Sequence, residues 1–75
     1  MSKDYRGWII VHEAAPGHNP HITVEWPNND GGRYSESMGY GEQAVSQAIE
    51  WWDKRLGVQA KLQPTIRGLY RVYVE

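Results

Sequence analysis

The stretch GEQAVSQAIEWWDKRLG, residues 41–57, is the one segment with helical apolar periodicity, and it constrains the fold more than any other feature of the chain. Val45, Ala48, Ile49, Trp52 and Leu56 fall on one stripe, with Gln43, Gln47, Glu50 and Lys54 opposite. Gly41 serves as a weak N-cap, and Glu42 suits the positive end of the helix dipole. Glu50 and Lys54 form a favourable i,i+4 pair, Lys54 and Arg55 suit the C-terminal end, and Gly57 is placed to stop the helix. Neighbouring helical side chains point about 100° apart, so Trp51 and Trp52 cannot both face one core. The stripe assigns Trp52 to the core. Trp51 falls on the flank, in line with Ala44 and Ala48, where it either seals the edge of the core or meets a partner.

The rest of the chain reads as strands. YRGWIIVHE (5–13) puts Trp8 and Ile10 on one face and Ile9 and Val11 on the other. A strand apolar on both faces belongs at the centre of a sheet. After the loop AAPGHNP (14–20), HITVEWP (21–27) alternates, with Ile22, Val24 and Trp26 inward and His21, Thr23 and Glu25 outward. NNDGG (28–32) is a strong hairpin signal, because Asn, Asp and Gly tolerate positive φ. RYSESMGY (33–40) sets Tyr34, Glu36, Met38 and Tyr40 against Ser35, Ser37 and Gly39. Either side can meet the helix, the small one leaving more room for its tryptophans. VQAKLQPT (58–65) reads as a loop or a short strand ended by Pro64. IRGLYRVYV (66–74) reads as the last strand, with Ile66, Tyr70, Val72 and Val74 on one face and Arg67, Leu69, Arg71 and Tyr73 on the other.

The expected fold is therefore a single α+β domain over residues 1–75, with element order β-β-β-α-β. Three strands form an antiparallel meander. A right-handed crossover through the helix then brings a fourth strand parallel to strand one and beside it, giving order 3-2-1-4. For 8.6 kDa, area scaling gives a folded surface of roughly 4,700 Å², with about 62% of the unfolded surface buried. Such a core leaves little room for an enclosed active site. One helix covers one sheet face, so the other face retains some of Trp8, Ile10, Leu69 and Tyr73, more apolar surface than a sheet leaves to water.

The chemistry-bearing residues exclude more than they assign. There is no Cys, so neither a disulfide nor a cysteine metal site is available. GxSxG, HExxH and P-loop patterns are absent. His12, His18 and His21, with Glu13 nearby, match no metal-ligand spacing. GYG (39–41) is too short to cradle a phosphate, and NNDGG lacks the spaced carboxylates of a calcium loop. An enzyme would have to use Glu36, paired with Glu25 across the hairpin or set in a cleft with His12 or His21. The expectation is no enzyme, no metal and no cofactor. No apolar run approaches the roughly 18 residues that span a bilayer, and Met1–Tyr5 lacks the apolar core of a signal peptide. A cytoplasmic protein away from membranes is expected. The formal net charge is −1, unlike that of a general nucleic-acid binder. Its distribution is uneven: residues 1–53 carry three basic and eight acidic groups, and residues 54–75 carry five basic and one acidic.

Two resemblances are of layout. From HITVEW through NNDGGRYSESMGYGEQAVSQAIEWWDKRLG, residues 21–57 resemble the three-strand-plus-helix arrangement of AP2-type and integrase N-terminal DNA-binding domains. That resemblance implies a sheet laid in the major groove. The strands here offer Arg33 but also Glu25 and Glu36, which repel phosphate. The whole β-β-β-α-β order is similar to the partial RNase H-like fold of HicB-type antitoxins, which implies a protein partner and no catalytic carboxylate set. The functional expectation is a small protein-interaction module or regulator, taking a protein partner or a second copy through Trp8, Trp51, Leu69 and Tyr73, since Trp and Tyr are frequent interface anchors. The alternative is a nucleic-acid-binding module that uses Lys54, Arg55, Lys61, Arg67 and Arg71, with Tyr73 stacking on a base.

Overall fold

The structure, a computed structural model, describes residues 2–75. Its elements are β1 (Asp4–His12), β2 (His21–Pro27), β3 (Arg33–Tyr40), α1 (Gly41–Leu56), β4 (Lys61–Pro64) and β5 (Leu69–Val74). The strands form one open sheet of order β3-β2-β1-β5-β4, in which every neighbouring pair is antiparallel. The α+β class, the meander and the central place of β1 match the expectation.

The single closing strand does not. The strand that leaves the helix is β4, at the far edge, and β5 turns back to lie between β4 and β1. The sequence read 66–74 as one strand parallel to β1; β5 instead starts at Leu69 and runs antiparallel to it. The reason is a tight turn at 65–68. Thr65 N donates to Leu69 O at 3.0 Å, Leu69 N donates to Ile66 O at 3.0 Å, and Gly68 has φ 78°. Ile66 and Arg67 therefore belong to the turn, and Ile66 is 73% exposed.

The helix has nearly the expected limits, but its N-cap is Tyr40, in extended conformation with no side-chain cap, and Gly41 is the first helical residue rather than the cap. Gly41 enters it at φ 79° and donates its N–H to Pro20 O at 2.9 Å. Gly57 ends it in the left-handed region, its N–H bonded to Asp53 O, the conformation that favours glycine at a helix C-terminus. Helix α1 packs over β2 and β3, and the core forms beneath it from Ile9, Ile22, Val24, Ala44, Ala48, Trp52 and Val72. Trp52 is 1% exposed. Its indole lies across Gly7 in β1, where a Cβ would stand 2.6 Å from the ring, and its Nε1 donates to Trp8 O at 3.3 Å.

In β3 the register shifts between Ile22 and Thr23, whose partners are Gly39 and Ser37. Met38 is the extra residue of this bulge, and such an insertion changes which residues share a face. Ser35 and Ser37 consequently lie on the face away from the helix, while Gly39 lies toward Ala44. The small side of β3 is thus split rather than turned as a whole to the helix. The NNDGG turn is organised by Asn28, whose Oδ1 accepts from Asp30 N and Gly32 N, both at 2.9 Å.

Five strands span about 19 Å between edge axes at ~4.8 Å per step, and one helix is about 10 Å wide. On the helix side, an apolar cavity of about 220 Å³ therefore remains beside α1, lined by Ile9, Val11, Val45, Leu62 and Tyr70. Among the described residues no helix lies on the opposite side of the sheet.

Candidate binding face

Cross-strand register fixes the composition of the open face. Its rows are Tyr40–His21–His12; Ser37–Thr23–Ile10–Leu69; Ser35–Glu25–Trp8–Arg71–Gln63; and Tyr5–Tyr73–Lys61. Trp8, Leu69 and Tyr73, expected as interface anchors, come together here with Ile10, all half-buried. Trp51 does not join them. It lies on the helix side, its ring centroid 4.9 Å from that of Trp26 and 5.1 Å from that of Trp52. Tyr34 extends this stack, 5.6 Å from Trp26, and Arg55 lies over both Trp26 and Trp51. Trp51 is thus half-buried at the edge of the core beside β2.

One end of the open face is cationic and aromatic. The Arg33 guanidinium sits 3.9 Å from the Trp8 ring centroid, Arg71 sits 3.5 Å from that of Tyr5, and the Lys3 ammonium sits 4.9 Å from that of Tyr73. Tyr5 and Tyr73 meet edge to face, and the Tyr5 hydroxyl donates to Gln63 Oε1 at 2.6 Å. Arg33 pairs with Glu25 at 3.4 Å, and Lys61 pairs with Glu75 at 3.5 Å. Arg71 is half-buried and has no carboxylate within ion-pair distance among the described residues. At the other end, His12 and His21 stack at 5.5 Å, and their Nε2 atoms bond Thr23 Oγ1 at 2.9 Å and Ser37 Oγ at 2.6 Å.

Of the basic residues singled out in the sequence, Lys61 and Arg71 share this face with Tyr73. Lys54 is exposed on the last turns of α1, Arg55 lies on the tryptophan stack, and Arg67 pairs with Glu13 at 2.7 Å in the β4–β5 turn. Glu36 is opposite Val24 and Glu25 is opposite Ser35, so the two carboxylates are on different faces, and Glu36 is apart from His12 and His21. His18 lies in the loop between β1 and β2, and among the described residues no group of three His, Asp or Glu is assembled to hold a metal ion. No described helix is long and apolar enough to cross a membrane.

Sequence reasoning missed Tyr5, Arg33 and Gln63 as parts of the face. Tyr5 and Arg33 were visible at strand ends, but their stacking on partners from other strands depends on register. Gln63 joins only because β4 is a strand. No protein-family model matches the chain, and neither a curated protein nor a solved structure matches it significantly. The resemblances therefore rest on layout: the meander carrying a helix is present, and the single closing strand is replaced by the β4–β5 hairpin.

Proposed function

We propose that this chain is a small non-enzymatic module that binds a protein through the open face of its sheet. The observation that carries the reading is the contiguity of Trp8, Ile10 and Leu69 on a face that no element among the described residues covers. An apolar centre rimmed by arginine, tyrosine and histidine is the anatomy of a protein–protein interface. The accessible surface supports it: 5,295 Å², about 600 Å² more than area scaling gives for this mass. A standard interface takes about 800 Å² from each partner. Nucleic-acid binding is the second reading, supported by Arg71, Lys61 and Tyr73 on one face.

The test is affinity capture from a source lysate with wild-type and Leu69→Asp baits, each with and without nuclease. A protein retained by the wild type after nuclease and lost with Leu69→Asp is the expected result. Equal retention by the two baits overturns the assignment of the face. Loss of all retained material on nuclease treatment transfers the function to nucleic acid.

A further inference from the structure

We infer that the partner of the open face is an acidic protein segment, with a carboxylate engaging Arg71 while a neighbouring aliphatic side chain lies over Ile10 and Leu69. This rests on the docking reading above. Arg71 stands at the middle of β5, directly opposite Trp8 on one side and Gln63 on the other. Its guanidinium carbon stands 3.5 Å from the Tyr5 ring centroid and meets no carboxylate among the described residues. A guanidinium resting on a ring loses less rotamer freedom on binding, and its N–H fork suits a planar acceptor such as a carboxylate. Around it stand Arg33, Lys61 and Lys3, against Glu25 and Glu75. The face has a surplus of positive charge in a chain whose total is −1. Charge complementarity thus calls for an anionic occupant, and a second copy would present the same surplus.

Two observations favour carboxylates over the phosphates of a nucleic acid. The first concerns the rings. Trp8, Tyr5 and Tyr73 each carry a cation over one ring face, so a stacking base competes with that cation there, whereas an aliphatic side chain over Ile10 and Leu69 does not. The second is Glu25, beside Trp8 in the same row and paired with Arg33, which leaves that cation less available to a run of phosphates than Arg71 is to a single carboxylate. Next to Arg71, the Ile10–Leu69 pair, two residues along each strand and next on this face, gives an aliphatic surface, and side chains of a protein segment can fill it.

The experiment is selection from a random peptide display library on the intact protein, followed by titration of the enriched peptides and of a single-stranded oligonucleotide. Enriched peptides are expected to place Asp or Glu beside an aliphatic residue. They should shift the amide resonances of Ile10, Leu69 and Arg71 and bind about tenfold or more weakly to Arg71→Gln, since charge-assisted bonds are the strong ones. Asn or Gln in place of the peptide acid should produce a similar loss. Arg71→Gln is checked for fold by its amide spectrum, and Arg71→Lys, which keeps the charge without the fork, should fall between it and wild type. Peptides that bind the open face without an acid, or with no loss in Arg71→Gln, overturn the acidic partner and leave the docking face standing. Tighter binding of the oligonucleotide at the same resonances overturns it in favour of phosphate. Enrichment of peptides on another surface, or no enrichment, overturns the docking reading itself.

Discussion

Gly7 and Trp52 show how much one side chain can fix in a core of this size. The strand gives up a side chain at Gly7 so that an indole can lie across it and bond the next carbonyl along. An added Cβ would also collide with the Glu25 backbone carbonyl, so Gly7→Ala is expected to destabilise by about 3 kcal/mol or more through overpacking, read as a lower denaturant midpoint with an unchanged slope. Trp52→Ala should cost about 3–5 kcal/mol and leave the chain largely unfolded. Trp51→Ala removes a half-buried ring from the Trp26 stack and the Arg55 contact, and should cost only about 1–2 kcal/mol. Thermal melts of the two variants, run side by side, answer what two adjacent tryptophans do on one helix. A similar loss for both would refute the edge position of Trp51. The doublet's split was legible because 100° per residue separates neighbours on any helix. That Trp51 would find Trp26 was not, because it depends on which strand lies under that flank.

At the level of elements, legibility followed the range of the determining contacts. Helix α1 was readable to within a residue, since its stripe, its basic last turn and Gly57 are all local. Gly57→Ala forces a Cβ into φ 75° and should cost about 1 kcal/mol, seen as a lower melting temperature. The β4–β5 hairpin was readable only in part. A short strand ended by Pro64 was one of the two readings of 58–65, and β4 (Lys61–Pro64) is that strand, but Gly68 sits inside what looks like one alternating strand. The β3 bulge was equally hidden, because nothing within RYSESMGY marks Met38 as unpaired. The helix also leaves its own side incompletely covered, and the cavity beside Val45 invites filling. Val45→Leu is expected to stabilise by about 0.5–1 kcal/mol; a lower melting temperature would mean that the cavity walls are rigid against the longer chain.

For the whole molecule, the open face combines apolar residues with a surplus of cations, and the two act oppositely on self-contact. Repulsion between like-charged faces is screened within about 8 Å at physiological salt and about 3 Å at 1 M. Sedimentation should therefore give the monomer mass at low salt and a rising average mass as salt is added. A mass that falls with salt would mean that ion pairs hold copies together. The presence of an uncovered face was legible from one helix and a strand apolar on both sides. Its charge pattern was not, because Arg33, Arg71 and Lys61 come from three separate strands. The adjacency of β1 and β5, which pairs Asp4 with Val74, carries a kinetic consequence. The central strand's second neighbour is the last described element, so one edge of β1 stays bare until a strand from the far end of the described residues is brought home. Closing so large a loop is an entropic barrier. Refolding should be limited by the docking of the last strand, and a chain shortened before Leu69 would display the bare edge of β1 to any strand it met.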